Sequence, residues 1–315
     1  MAMIETVNLT KKYGELAALD NLNLTVEAGS CLGFIGPNGA GKTTTIKILA
    51  TLLKPSWGEA RIDGKVVGYQ NHLIRPIIGY VPDFMGSYDD MLVAEYLEFF
   101  ASCYGIHGPA RMKAVQDVLE LTDLSYKRDA EVNGLSRGMQ QRLSVARVLL
   151  HDPQVLLLDE PSSGLDPRAR VEMRELLKEL RRMGKTILIS SHILFELAEL
   201  CTDVAIIEQG KLLFAGPMRE IMARTRTGRV LHVVVEDRHA EAIRLLKGVP
   251  GVKQVEGARH DDVVRIDVQV AEDAALTPGE LNARLVASGL RVSHLAEERL
   301  DLETAFMRLT KGLVA

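Results

Sequence analysis

The chain has 315 residues, of which 47% are hydrophobic and 25% charged, and its formal net charge is −4. This length exceeds what one compact core usually holds, so we expect one large domain and a smaller one. The slightly acidic balance argues against a nucleic-acid-binding surface, and we find neither a signal peptide nor an apolar run long enough to span a membrane, so we expect a cytoplasmic protein.

The N-terminal segment predicts two antiparallel strands. Residues 3–9 and 19–26 alternate apolar and polar side chains, as half-buried strands do. Tyr13 lies between them, directly before Gly14. The Tyr13 ring could stack on an adenine base or be an ordinary tyrosine in a turn, and its position alone leaves both interpretations open.

A glycine-rich loop follows the apolar run 31–35 and leads into a predicted helix over residues 44–53. It reads Gly36, Pro37, Asn38, Gly39, Ala40, Gly41, Lys42, Thr43 and Thr44. Its glycines let consecutive N–H groups point at phosphate oxygens, and the helix N-terminus adds a positive dipole. Lys42 is placed to neutralise phosphates and the Thr43 hydroxyl to ligate Mg²⁺. The loop therefore predicts a nucleotide-binding site.

The middle of the chain predicts a helical insert between two blocks that contain strands. A short strand near residues 77–81 delivers the carboxylate Asp83, and from residue 93 to 129 apolar side chains recur at helical spacing. A further helix begins after Ser136, whose hydroxyl is a predicted N-cap. Ser136 and the Gly138 N–H could also meet an anion, so a plain cap and a phosphate contact both remain open.

Two acids end a fully apolar strand over residues 155–158. A strand that delivers Asp159 and Glu160, in a chain that also holds a phosphate loop, fits a nucleotide hydrolase. In this interpretation Asp159 belongs to the Mg²⁺ shell and Glu160 orients or deprotonates water. The next buried strand, 186–191, delivers His192, which we interpret as functional because the two strands could be neighbours.

The tail changes character near residues 225–229. Before it lies a hairpin over 203–215, and after it the pattern is strand, helix, two strands, helix, strand, which is the ferredoxin-like order. A last helix is predicted over residues 302–309. The tail histidines His232, His239, His260 and His294 lack metal-ligand spacing. The cysteines Cys31, Cys103 and Cys201 predict buried, reduced thiols.

Taken in this order, the motifs of residues 1–225 resemble those of the ATP-binding subunit of an ABC transporter. The resemblance makes residues 36–43 the Walker A loop, 135–140 the signature, 155–159 Walker B, 163–166 the D-loop, Glu160 the catalytic carboxylate and His192 the switch histidine. It implies that ATP and Mg²⁺ are bound. The implied catalytic residues are Glu160, His192 and Lys42, and the implied metal ligands are Thr43, Asp83 and Asp159. The implied nucleotide contacts are residues 36–44, Tyr13, Ser136, Gly138 and Asp166.

The resemblance also implies a fold and an assembly. The fold would be α/β, a P-loop NTPase of ABC type with a mixed sheet core, an antiparallel β subdomain and a helical subdomain over about residues 90–150. Residues 226–315 would form a ferredoxin-like accessory domain. Two copies would pair head to tail, so that the signature of one closes on ATP held by the other. Permease subunits would anchor the two copies at the inner membrane face. Within the family, the chain most resembles the type two exporters, which move drugs, antibiotics, polysaccharide or sodium.

Two departures and two alternatives accompany this interpretation. The family usually has glutamine where this chain has Asp83, and glycine where it has Arg137, which adds a cation near the expected γ-phosphate position.

One alternative is a soluble ABC ATPase acting in DNA repair or translation. Such proteins add coiled coils, zinc modules or a second nucleotide domain, and we see none in the sequence. The other is a regulator without turnover, which Glu160 and His192 disfavour.

Overall fold

The structure is a computed structural model that describes residues 2–86, 90–191, 194–224, 229–260, 263–271 and 274–297. Within them the chain forms two compact units that divide between Ile221 and Met222. His192 and the predicted helix over residues 302–309 lie outside the described residues.

The first unit alternates strands and helices. In chain order its elements are β1 (Ala2–Tyr13), β2 (Leu16–Glu27), β3 (Cys31–Ile35), α1 (Lys42–Leu49), β4 (Trp57–Ile62), β5 (Lys65–Val66), α2 (Asn71–Ile74), β6 (Ile78–Val81), α3 (Val93–Cys103), α4 (Gly108–Leu121), α5 (Arg137–Leu149), β7 (Val155–Asp159), α6 (Pro167–Arg182), β8 (Thr186–Ser191), α7 (Leu194–Leu200), β9 (Asp203–Glu208) and β10 (Lys211–Pro217). Helix α8 (Met218–Arg224) crosses the division.

A six-stranded mixed sheet organises this unit, with strand order β10-β9-β3-β8-β7-β6. All neighbouring strands are parallel except β10 and β9. Strands β3, β7 and β8 are buried along their whole length, which explains why they read as continuous apolar runs. Because parallel strands end at the same edge, the residues that follow β3, β6, β7 and β8 meet there.

A four-stranded antiparallel sheet, β2-β1-β4-β5, packs into the same hydrophobic core. Ile4 and Leu22 from this sheet join Phe34 of β3 and Leu157 of β7 in one cluster. The predicted strand limits here were wrong: β1 continues to Tyr13, which is therefore the end of a strand and not part of a long connection. Gly14, with φ of 59°, makes the tight turn between β1 and β2.

The helical insert was predicted correctly in type and position. Tyr96 and Leu97 of α3 and Val115 and Leu119 of α4 are buried, as their spacing indicates. Contrary to prediction, Cys103 at the end of α3 is exposed.

The other two cysteines are buried as predicted, and they are neighbours in space. The Sγ atoms of Cys31 and Cys201 lie 3.5 Å apart as free thiols. Burial is the main cause that raises the pKa of the Cys201 thiol well above its ordinary value, and the hydrogen bond with Cys31 adds to it. As buried free cysteines, both side chains pack as small hydrophobic groups.

The second unit is built around its own sheet. Its elements are β11 (Arg229–Val235), α9 (His239–Lys247), β12 (Val252–His260), β13 (Val263–Val270), α10 (Pro278–Ala287) and β14 (Val292–Glu297). The strands pair antiparallel in the order β12-β13-β11-β14. Leu246 of α9 and Leu281 of α10 pack on Val233 and Val268, which gives this unit a separate hydrophobic core.

Across the described ranges, no helix combines the length and apolar character needed to cross a lipid bilayer.

Candidate nucleotide site

A cavity of about 330 Å³ opens where β3, β6 and β7 end. It is lined by Ala18, Asn38, Gly39, Ala40, Gly41, Lys42, Thr43, Thr44, Asp83, Glu160 and Ser163. The glycine-rich loop forms one wall of the cavity. Three of the lining residues carry charged side chains: Lys42, Asp83 and Glu160.

The loop presents a helix N-terminus to this cavity. Gly41 precedes α1 with φ of 109°, and no side-chain hydrogen bond caps the helix. A Cβ on Gly41 would lie 2.6 Å from the Ala18 carbonyl oxygen, and one on Gly36 would collide with the Ile207 carbonyl oxygen. Only glycine therefore fits at either position, and the first-turn N–H groups of α1 lack a side-chain acceptor and can meet an anion.

The Lys42 side chain is held inside the loop, and only 6% of its surface is exposed. Its Nζ donates to the Gly36 carbonyl oxygen at 2.6 Å and to the Pro37 carbonyl oxygen at 3.2 Å. The same Nζ lies 3.5 Å from Oε1 of Glu160. A buried ammonium needs such partners, and phosphate oxygens would satisfy the same need.

Two side chains converge on the buried carboxylate of Asp159 at the end of β7. Ser190 Oγ donates to Asp159 Oδ1 at 2.8 Å, and Thr43 Oγ1 donates to the same atom at 3.1 Å. Ser190 Oγ also accepts a hydrogen bond from the Glu160 backbone N–H at 2.9 Å. The Ser190 hydroxyl therefore ties together the two acids that end β7.

Glu160 has a backbone φ of 50°, in the left-handed region that costs a non-glycine residue free energy. Its N–H bond to Ser190 and its carbonyl bond from the Ser163 N–H, at 3.0 Å, hold this conformation. The strained turn directs the Glu160 side chain, which is 16% exposed, to the cavity.

The acids of the site influence one another. Burial is the main cause that raises the pKa of Asp159; the hydrogen bonds from Ser190 and Thr43 counteract it, and the charges of Asp83 and Glu160 add to it. Burial, together with Asp159 and Asp83, raises the pKa of the Tyr80 hydroxyl to about 12. A divalent cation is the natural complement of this charge cluster, and the Thr43 hydroxyl and Asp159 carboxylate are oxygen donors of the type Mg²⁺ prefers.

Six of the predicted nucleotide contacts do not line the cavity, among them Gly36 and Pro37 at the start of the loop. Tyr13 ends β1 with 47% of its surface exposed. Ser136 caps α5 by accepting the Met139 N–H, and Asp166 caps α6 by accepting the Ala169 N–H at 2.9 Å. Gly138 lies in the first turn of α5. The N-cap interpretation of Ser136 is thus confirmed.

Sequence reasoning missed two residues of the site: Ala18 lines the cavity, and Ser190 joins Asp159 to Glu160. Ser163, expected only as the first residue of the D-loop, also lines the cavity. A polar residue within the apolar run of β8 was the one available signal for Ser190. The predicted metal ligand Asp83 lines the cavity as an exposed residue.

Residues 19–163 match the model of a family described as ABC transporter. The chain is 36% identical over 311 residues to the bacitracin transport ATP-binding protein of Bacillus licheniformis, with 98% of each chain covered. It is 34% identical over 308 residues to Nod factor export ATP-binding protein I of Ralstonia nicotianae, covering 98% of this chain and 94% of that protein.

Two solved structures of ABC proteins are similar to this chain in fold. An ATP-binding subunit of an ABC transporter superposes with a TM-score of 0.63 at 27% identity and covers 70% of this chain and 92% of its own. A bacterial ABC transporter cassette solved as a dimer gives a TM-score of 0.62 at 29% identity, covering 69% and 99%.

Proposed function

We propose an export function for this chain, which belongs to the ABC transporter family of ATP-binding proteins. It binds ATP with Mg²⁺ and hydrolyses the nucleotide. The observation that carries the export proposal is the match, over 98% of the chain, to relatives named for bacitracin transport and for Nod factor export. The cargo would be selected by the permease, with this chain supplying the energy.

The cavity residues divide into those that would hold phosphates and those that would hold the metal. The N–H groups of residues 38–43 and the Lys42 ammonium would bind the phosphates. Thr43, Asp159 and Asp83 would hold Mg²⁺, which neutralises phosphate charge when it is bound. The Thr43 hydroxyl on the cavity wall, its hydrogen bond to the buried Asp159 and the uncapped start of α1 support this division.

Glu160 would act as the general base of the reaction. A water molecule attacks the γ-phosphorus, the bond from that phosphorus to the β–γ bridging oxygen breaks, and the Glu160 carboxylate takes the proton of the water. Lys42, whose Nζ lies 3.5 Å from Oε1 of Glu160, would exchange this partner for phosphate. His192 is a proposed catalytic residue from its sequence position alone.

The signature residues would serve a second copy of the chain. Ser136, Gly138 and Asp166 do not line the cavity that holds Lys42 and Glu160, so one chain does not gather the full predicted site. Head-to-tail pairing of two copies would bring them to the ATP of the partner. The similarity to a cassette solved as a dimer supports this arrangement.

We further propose that the chain works at the inner face of a membrane through its permease. The predicted domains, residues 1–225 for the nucleotide and 226–315 as an accessory domain, remain our proposal for how the chain is divided. The division of the described chain near residue 221 supports it. Tyr13 is proposed to stack on adenine in the closed state.

Substitution of Glu160 tests the catalytic part of this proposal. We expect Glu160→Gln to keep ATP binding but to lower kcat by a factor of roughly 100 or more, because the amide cannot accept the proton. The variant should accumulate as an ATP-bound dimer in size-exclusion chromatography. Glu179→Gln, at an exposed position on α6 that pairs with Arg182, is the matched control and should behave as wild type. Undiminished turnover of Glu160→Gln would refute the assignment.

Co-purification tests the partner. Tagged full-length chain, expressed with the genes that neighbour its own, should retain a membrane protein of about six spans. Recovery of nucleic acid or ribosomes in its place would favour the soluble ATPase alternative.

A further inference from the structure

Arg137 lies against the turn at Gly164, which follows strand β7. It is the first residue of α5, and its guanidinium occupies the space where a side chain of residue 164 would be. A Cβ on Gly164 would lie 2.7 Å from both Cζ and Nη1 of Arg137 and 3.1 Å from Nε. Gly164 has φ of 68°, so glycine is favoured there by conformation as well as by space.

This contact is one of packing and not of charge pairing. Arg137 is exposed, and no ion pair or hydrogen bond of its guanidinium is found within the described part of the chain. A long cationic side chain in solvent normally samples many rotamers. Here the missing side chain of Gly164 leaves the space that the guanidinium occupies, so the guanidinium packs against this turn.

The base of the Arg137 side chain is firmly placed because α5 and α6 begin side by side. A Cβ on Gly138 would lie 2.6 Å from Cβ of Ala169, so the two helix starts are in direct contact. Each start is also capped, α5 by Ser136 and α6 by Asp166. The guanidinium therefore extends from a rigid support.

The Gly164 turn directly follows two residues that line the nucleotide cavity, Glu160 and Ser163. Its neighbour Ser163 lines the nucleotide cavity, and the Ser163 N–H donates to the Glu160 carbonyl oxygen at 3.0 Å. Glu160 itself holds an unfavourable φ, so its side-chain direction depends on the turn that follows it. A shift of Gly164 would thus change where the Glu160 carboxylate points.

We propose that Arg137 is a positioning residue for hydrolysis, which acts by holding the Gly164 turn and through it Ser163 and Glu160. This role rests on the function proposed for Glu160. It differs from a phosphate contact by Arg137, because the guanidinium acts within its own chain and through backbone packing.

Steady-state ATP hydrolysis by the full-length chain tests the proposal. We expect Arg137→Ala to lower kcat by about tenfold while the KM for ATP changes by less than about twofold, because misplacement of a reacting group reduces the rate more than binding. Arg137→Lys keeps the charge but lacks the planar group, so its kcat should stay close to that of Arg137→Ala. A raised KM with normal kcat, or full rescue by lysine, would mean that the cation contacts nucleotide and would overturn the proposal.

A double substitution isolates the contact. Gly164→Ala would push the guanidinium away and strain the turn, so we expect kcat to fall at least as far as in Arg137→Ala. In the Gly164→Ala background the Arg137→Ala change should then have no further effect. Multiplication of the two single effects would show independent roles and overturn the proposal.

A neighbouring arginine provides the control. Arg168 near the start of α6 is 90% exposed and pairs with Glu172 through its Nε at 3.1 Å, so Arg168→Ala removes the same charge nearby without changing the turn. It should leave kcat within about twofold of wild type. If wild-type chain hydrolyses ATP and Glu160→Gln does not, yet Arg137→Ala equals Arg168→Ala, the positioning proposal alone fails. If wild-type chain does not hydrolyse ATP, the proposed function fails as well.

Discussion

Ser190 links the two acids of the site through one hydroxyl group. It donates to the buried Asp159 carboxylate and accepts the N–H of the strained Glu160. A buried carboxylate that loses a donor becomes harder to keep ionised, and a buried N–H without an acceptor retains its desolvation cost. The hydroxyl therefore stabilises both the Asp159 carboxylate and the turn at Glu160, the proposed metal ligand and the proposed base.

We expect Ser190→Ala to lower the free energy of unfolding by about 1 to 3 kcal/mol, the usual cost of leaving buried polar groups unsatisfied. The same change should raise the Mg²⁺ concentration needed for half-maximal hydrolysis, because it disfavours ionised Asp159. Denaturant unfolding and Mg²⁺ titration of ATPase activity measure the two effects.

Ser144 offers a matched control for this substitution. It is a buried serine in α5, and within the described residues its Oγ has no hydrogen-bond partner. Ser144→Ala removes the same atom but no hydrogen bond, so stability should stay the same or rise. Equal losses in the two variants would show that the Ser190 hydrogen bonds are not the cause.

The site residues that the sequence identified are those whose chemistry is local. Gly41, Lys42 and Thr43 lie within one continuous loop, and Glu160 directly follows its strand, so residue type and spacing were sufficient to predict that they line one cavity. Ser190 and the pair Arg137 with Gly164 could not be found this way, because each depends on contacts between residues distant in sequence.

At the scale of elements, β11 and β13 are joined by an ionic network on the side of their sheet away from the core. His232 Nδ1 lies 2.7 Å from Asp267 Oδ1, and Arg265 Nε lies 2.9 Å from the same oxygen. Burial would raise the pKa of Asp267, but the bonds from His232 and Arg265 outweigh it and lower that pKa. Glu256 stands opposite Asp267 on β12 and adds a negative charge to the row.

Because its pKa is depressed in the folded chain, the Asp267 carboxylate stabilises the fold at neutral pH. We expect Asp267→Asn to lower the stability of the second unit at pH 7 by about 1 kcal/mol, a value reduced for partial exposure. The difference in stability should begin to shrink as the pH falls below about 4, the ordinary carboxyl pKa. It should disappear once the pH is below the lowered pKa of Asp267 in the folded chain.

Hydrogen exchange of peptides from β11 and β13 at neutral and acidic pH measures this difference. Asp237→Asn is the control, since Asp237 pairs with Arg291 at a more exposed position and should cost less. A loss for Asp267→Asn that is unchanged in acid would exclude the ionic network as its source.

The types and order of the elements were largely predictable, and the limits of the strands were not. Period-two alternation marks the part of a strand that has one buried face, and in β1 this part ends before residues 11–13, which are partly or fully exposed. Hydrogen bonding to β2 nevertheless continues to Tyr13, opposite Leu16. Pairing that extends past the core leaves no hydrophobic signal.

At the scale of the whole chain, the two units have separate hydrophobic cores. One contains Leu22, Phe34, Ile46 and Leu157, and the other is the cluster around Val233 and Val268. The cavity with Lys42 belongs to the first unit alone. A ligand of that cavity should therefore stabilise the first core directly and the second core not at all.

We expect MgATP at about 100 times its Kd to raise the opening free energy of the first unit by about 2.7 kcal/mol, because a ligand that binds only the folded form stabilises it by mass action. Hydrogen exchange of the Glu160→Gln chain, in which turnover is suppressed, should slow in peptides from β3, α1 and β7 and stay unchanged in peptides from β11 and β13. Fluorescence of Trp57, the single tryptophan, reports unfolding of the first unit independently. Equal slowing in both units would mean that they unfold as one cooperative body and would contradict the proposed domain division.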